Sequence, residues 1–156
     1  MELKIKCLEP GMIEGVEVQM PCSAEVYKER YFNWESTTLT AKFNSTDVVG
    51  GILTAWHHTP VFSEIETHVD AEMFYFQTGT ATMLFIDVKD GKPDMDSAQL
   101  VYIKAGTQII IAAGKGHFVP VAADSTPVQA VVVAPPMDAP RMNLPETIEG
   151  ISCCCE

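Results

Sequence analysis

What most constrains this chain is its punctuation. Short runs rich in Val, Ile, Thr, Phe and Tyr follow one another closely, each closed by Gly, Pro, Asn or Asp. β-Branched and aromatic residues suit a pleated, half-buried surface, and the closing residues tolerate the backbone angles that reversals need. The pattern predicts strands near Lys4–Leu8, Val26–Trp34, Thr38–Phe43, Gly51–His57, Met73–Gln77, Ala81–Val88, Gln99–Lys104, Gln108–Ala112, His117–Ala122 and Val128–Val133. Gln77-Thr78-Gly79-Thr80 and Lys89-Asp90-Gly91 each place a Gly where a hairpin requires positive φ, and Ala113-Gly114-Lys115-Gly116 offers another reversal. Only Pro21–Tyr27 and the tail beyond Pro140 leave room for a helical turn. Many short strands at close spacing read as an all-β sandwich or barrel.

No linker or internal repeat divides the sequence, so residues 1–156 are read as a single domain. A chain of this length buries roughly 70% of its unfolded surface and needs no staple. Residues 1–35 supply N-terminal strands and 137–156 a C-terminal extension. Within that extension, Met137 to Pro145 is expected to wrap over the outside of the barrel, with contact to a second copy as an open alternative role.

Charge narrows the partners. Acids outnumber bases 21 to 10, a net charge of −11. Nucleic acids and anionic membranes are held mainly by Lys and Arg, so neither is expected as a partner. Apolar runs such as Gln108–Ala113 and Val128–Ala134 fall well short of the ~20 residues of a membrane span, and Met1–Lys6 builds no signal-peptide core. Of five cysteines, Cys153, Cys154 and Cys155 are adjacent, a poor disulfide framework; reduced thiols in the cytoplasm are the expectation. No phosphate-binding Gly loop, Gly-x-Ser-x-Gly elbow or Cys-x-x-Cys pair occurs.

The residues able to do chemistry cluster in Glu66-Thr67-His68-Val69-Asp70-Ala71-Glu72. On a strand, Glu66 and His68 project to one face. Glu72 shares their parity but lies about 13 Å from His68 in an extended chain, at ~3.3 Å per residue. One site therefore requires a bend at Val69-Asp70-Ala71, and Asp70 is turn-tolerant. Beyond it, Phe74 and Phe76 fall on the face of Glu72 as core or as pocket wall, and Phe85 is read in the same way. His117 follows a Gly-Lys-Gly turn. Two imidazoles and two carboxylates inside a barrel suit a divalent cation. The alternatives are a carboxyl kept protonated for acid–base work, or polar groups that merely satisfy one another. His57 and His58 read as a strand end at the rim or as substrate contacts. Lys115 reads as a solvated turn tip or a carboxylate-recognition residue, and Arg141 as a surface residue.

The spacings resemble the cupin superfamily. Glu66-x-His68-x3-Glu72-x6-Gly79 matches its first motif, with Glu66 for the leading His and Pro60 for the first Gly. Gly106-x5-Ala112-x-Gly114-x2-His117 matches the second, with Ala112 for Pro and Val121 for the final Asn. The resemblance implies a single-domain cupin-type β-barrel (double-stranded β-helix or jelly roll) with core motifs over 66–121. It also implies a metal set of Glu66, His68, Glu72 and His117 holding Mn, Fe, Ni or Zn, and a homodimer.

A narrower resemblance is to the ureidoglycolate lyase family, through Glu66-Thr67-His68, Phe74, Gly79, Lys92-Pro93-Asp94, Tyr102-Ile103, Gly106-x-Gln108, Gly114-x2-His117 and Pro120. The chain departs from that family's Gln at Glu72 and from its Trp-His-His-Pro run at Gly116–Pro120. The implied reaction belongs to purine catabolism and splits ureidoglycolate, a small organic acid, into glyoxylate and urea. Glu66, Glu72 and His117 would be catalytic; Lys115, Phe74, Phe76 and His57 would bind substrate. A non-catalytic small-ligand barrel and a metal-dependent isomerase or dioxygenase are the alternatives.

Overall fold

The computed structural model describes residues 1–22 and 26–152. The strands, in chain order, are β1 (Glu2–Cys7), β2 (Val16–Gln19), β3 (Val26–Lys28), β4 (Asn33–Glu35), β5 (Val49–Ala55), β6 (Val61–Glu66) and β7 (Glu72–Thr78). They continue as β8 (Thr80–Lys89), β9 (Lys92–Lys104), β10 (Gln108–Ile111), β11 (Gly116–His117), β12 (Val121–Ala122), β13 (Val128–Ala134) and β14 (Arg141–Ser152). No helix occurs among the described residues. All-β is the observed class.

One sheet runs β11-β6-β14-β1-β9-β8-β12, and a further β11–β8 pairing closes six of its strands into a ring. β1 is parallel to both its neighbours, while the remaining ladders of the ring are antiparallel. A second, wholly antiparallel sheet runs β2-β10-β7-β13-β5, and β3 pairs with β4 as a separate hairpin.

β8 explains how two cores coexist. Every residue from Ala81 to Ile86 is buried. Ala81, Met83 and Phe85 pack toward the second sheet with Phe74, Phe76, Ile109, Ile111 and Ala130. Leu84 and Ile86 face the ring's interior with Ile5, Phe62, Ile65, Leu100 and Ile148. A strand covered on both faces reads as one apolar run, as the sequence Ala81-Thr82-Met83-Leu84-Phe85-Ile86 does.

The turns divide into two kinds. Asp90 (φ 50°) and Gly91 (φ 72°) close the β8–β9 hairpin with the two left-handed residues that such a turn requires. Gly79 (φ 72°) closes no hairpin, although its sequence predicts one. It passes the chain from the second sheet to the ring, and a Cβ there would stand 2.8 Å from the Pro127 carbonyl oxygen.

Several expectations are corrected. Thr38–Phe43 is not a strand: its backbone joins no ladder, and Thr38 N instead donates to Gln19 Oε1 at 3.3 Å. Val26–Trp34 is broken into two three-residue strands. Beyond Pro140 the chain is not helical, and from Arg141 it is a barrel strand rather than an outer wrap. β14 is a strand of the ring, between β6 and β1, and its Leu144 and Ile148 lie on either side of a slip in register and fill the ring's core. Cys153, Cys154 and Cys155 lie outside the described residues; Cys7 and Cys22 are free. Among the described residues, no helix is long and apolar enough to cross a membrane.

Candidate metal centre

Three local features bring distant residues together. β6 ends at Glu66, the chain bends at Val69–Asp70, and β7 opens with Glu72. Asp70, 6% exposed, holds that bend: its Oδ1 accepts from Ala71 N and its Oδ2 from Asn44 N, each at 2.8 Å. β11 then lays His117 directly opposite both Glu66 and Phe85. Paired residues share a face, so His117 points with Phe85 toward the space between ring and second sheet. Its neighbour Gly116 faces the other way. A Cβ at that position would stand 2.8 Å from both Ile65 Cδ1 and Ile86 Cγ2. The absent side chain lets β11 approach closely enough to close the ring.

The four side chains converge. His117 Nε2 lies 3.1 Å from Glu72 Oε2 and 3.9 Å from Glu66 Oε1; His68 Nε2 lies 3.5 Å and 3.9 Å from the same two oxygens. The two imidazoles are 5.1 Å apart at their centroids. His117 is 1% exposed and His68 9%, while the Glu66 and Glu72 side chains retain 15% and 14%. The carboxylates form the wetter side of the site.

Hydrogen bonding sets the tautomers. His117 Nδ1 is 3.1 Å from the Lys115 carbonyl, and His68 Nδ1 is 3.2 Å from the Asp138 carbonyl. A carbonyl has no proton to give, so each Nδ1 carries the hydrogen and donates it. In the neutral imidazole each Nε2 then faces the carboxylates as a lone pair, and in the imidazolium as an N–H donor. A lone pair facing a carboxylate oxygen at 3.1 Å is repulsive unless a proton or a cation lies between them. His68 Nε2 is moreover buried without a hydrogen-bond partner. A buried ring nitrogen without a hydrogen-bond partner, aimed at two carboxylates, fits a metal ligand.

The four His–Glu separations pass the test of distance as well. Zinc-type metal–ligand bonds of about 2.0–2.2 Å put adjacent ligands of one ion roughly 3.0–3.4 Å apart and opposed ones up to about 4.2 Å. The observed separations of 3.1–3.9 Å fall inside that range. Glu66, His68 and His117 each offer a ligand atom within 4.8 Å of the others. Carbonyl-oriented imidazoles are the usual outer arrangement of a metal-binding histidine.

Comparison with known proteins separates fold from function. No family model matches the chain, and no curated protein does. Solved structures do resemble it. A dTDP-4-dehydrorhamnose 3,5-epimerase from Elizabethkingia anophelis superposes with a TM-score of 0.52 at 13% identity over 84% of this chain and 74% of its own. RmlC from Streptococcus suis, in complex with dTDP-D-xylose, gives 0.51 at 10% identity over 83% and 69%. A variant of oxalate decarboxylase from Bacillus subtilis gives 0.45 at 17% identity; the match takes in 63% of this chain and only 24% of that one. The fold is a cupin-type β-barrel.

Within the cupin barrel, the remaining residues singled out from sequence are placed as follows. Phe76 (0% exposed) and Phe74 (4%) stack at 5.9 Å in the core between the ring and the second sheet. Lys115 is no solvated turn tip: it is 8% exposed and ion-paired to Asp87 at 2.5 Å. His57 stands apart from the four-residue cluster. Its Nδ1 donates to Ala122 O at 2.8 Å, and with His58, Thr82 and Tyr102 it lines a separate cleft of about 170 Å³. Arg141 is 56% exposed, bonded to Glu64 at 2.7 Å with its guanidinium over the Phe118 ring. Sequence reading had no means of finding the Asp138 carbonyl, because a backbone acceptor leaves no side-chain signal.

Proposed function

We propose that this cupin barrel is a divalent-metal enzyme acting on a small α-hydroxy acid, with ureidoglycolate cleavage as its reaction. The observation that supports it is the pair of Nε2 atoms turned onto two carboxylates while each Nδ1 is bonded to a backbone carbonyl. Glu66, His68, Glu72 and His117 would hold the ion, whose two positive charges the carboxylates balance. Bound there, a divalent ion would supply Lewis acidity toward a substrate carboxylate or hydroxyl oxygen.

The chain's own groups account for the proton movements. Glu72 Oε2 is the carboxylate oxygen in closest contact with both imidazoles, which leaves Glu66 the freer base. In this reading Glu66 takes the proton of the substrate hydroxyl. The C–O bond becomes a carbonyl, the C–N bond breaks, and its electron pair passes to the urea nitrogen. Glu66 then returns the proton to that nitrogen, so one group serves as base and acid. In this reading the buried Phe74 and Phe76, on the parity of Glu72 along β7, would keep water from that side.

Steady-state turnover of ureidoglycolate by the manganese-supplied protein and by Glu66→Gln tests this. Glyoxylate and urea are expected in equal amounts from the wild type. General acid–base groups contribute typically 10²–10⁴-fold, and Glu66→Gln is expected to lose activity within that range. No turnover by the metal-supplied wild type removes the ureidoglycolate assignment.

A further inference from the structure

We propose that the Asp87–Lys115 ion pair is a positioning device for His117; the proposal rests on the metal reading above. The Lys115 side chain is 7% exposed and its ammonium meets Asp87 Oδ1 at 2.5 Å. The backbone carbonyl of the same lysine accepts the His117 Nδ1–H at 3.1 Å. Where the Lys115 backbone sits therefore decides where the imidazole points. Its own N–H donates to Ala112 O at 3.2 Å, and its stem packs by Gly15, within 3.7 Å of where a Cβ there would stand.

Asp87 is presented by an irregularity in the sheet. The β8–β9 register shifts between Phe85 and Asp87, and Asp87 N donates to Ser97 Oγ at 2.8 Å. Ser97 Oγ in turn donates to Asp94 O at 2.7 Å. Bulges beside functional sites commonly re-aim one side chain, and this one turns Asp87 onto Lys115. Stability alone does not explain the pair, because apolar replacement of a buried ion pair is often neutral or stabilising. Orientation does explain it. Anchored through its side chain, Lys115 offers His117 a fixed carbonyl, the kind of outer contact whose loss typically weakens metal binding.

The test is cobalt(II) titration of the purified protein followed by visible absorbance, with thermal denaturation of the apo forms in parallel. Lys115→Met leaves behind no stranded buried charge, since the Asp87 side chain is 35% exposed. It is expected to lower cobalt affinity about 10–100-fold and to shift the d–d bands, with the apo Tm unchanged. Lys115→Arg is expected to restore both affinity and bands. Asp87→Asn, which keeps an acceptor oxygen, serves if Lys115→Met does not fold, and is expected to move affinity and bands in the same direction. Wild-type affinity and bands in the variants overturn the positioning role alone. A wild type that binds no cobalt overturns the metal reading, and this role with it.

Discussion

His117 and Glu72 stand 45 residues apart in the chain and 3.1 Å apart in space, Nε2 to Oε2, with the imidazole's other nitrogen already spent on a backbone carbonyl. Nothing on either atom accounts for attraction at that distance unless a proton or a cation lies between. Removing His117 should therefore do more than trim one contact. Loss of an outer-shell partner typically weakens metal affinity 10–100-fold, so His117→Ala, which deletes a ligand itself, should exceed about 100-fold. Competition against a chelator of known strength measures it.

Asp70 should link folding to the site. It is buried at the bend between His68 and Glu72 and accepts two backbone N–H bonds, one from Asn44 far away in sequence. Hydrogen bonds to charged groups are worth about 1.5–3 kcal/mol each, so Asp70→Ala should lower the unfolding free energy by at least about 2 kcal/mol. Metal affinity should fall with it, because Glu72 would no longer be brought back over His68. Asp70→Asn, which keeps one acceptor, should do less. Denaturant unfolding paired with metal titration distinguishes the two variants.

Gly79→Ala and Gly116→Ala should both destabilise, for different reasons. At Gly79 a methyl meets the Pro127 carbonyl at 2.8 Å with φ at 72°, so steric and conformational penalties coincide. At Gly116 the obstruction is Ile65 Cδ1 and Ile86 Cγ2, both 2.8 Å away and both side-chain ends. Overpacking typically costs about 1–3 kcal/mol, and Gly116→Ala should fall in that range while Gly79→Ala exceeds it. Midpoints of urea unfolding provide the comparison. Only Gly116→Ala should also disturb metal binding, since His117 is its neighbour.

Acid should weaken the β8–β9 hairpin in a defined window. The Lys89 hydrogen bond holds the Asp94 carboxyl below its ordinary value of 3.8. A carboxyl lowered in the folded state adds stability above its unfolded value, lost as pH falls through the lowered folded one. Wild type should therefore be more stable than Asp94→Asn at neutral pH. The difference should shrink below about pH 4 and vanish once the folded carboxyl is protonated. Unfolding midpoints of the two proteins from pH 7 down to pH 2 trace this directly.

These particulars show what the sequence carries and what it hides. The parity of Glu66 and His68, together with the need for a bend near Asp70, follows from strand geometry, and the cluster forms as that geometry requires. β8 was legible because six consecutive buried residues leave little else for the chain to do. β14 was obscured by Pro145, by its charged outward positions and by a slip in register between Asn143 and Ile148 that breaks the alternation between Leu144 and Ile148. The partner of Lys115 was invisible for another reason. Asp87 is 28 residues away and reaches it only through a local slip in register, which no periodicity announces. The Asp138 carbonyl that orients His68 arrives from a segment 70 residues downstream.

The central claim is that Glu66, His68, Glu72 and His117 share one divalent ion. Manganese(II) titration of the chelator-treated protein, followed by electron paramagnetic resonance, tests it most directly. One tightly held equivalent per chain is predicted, abolished by His117→Ala and by His68→Ala in proteins that keep their β-rich circular dichroism. Absence of a bound equivalent, or one that survives both substitutions, would contradict the account.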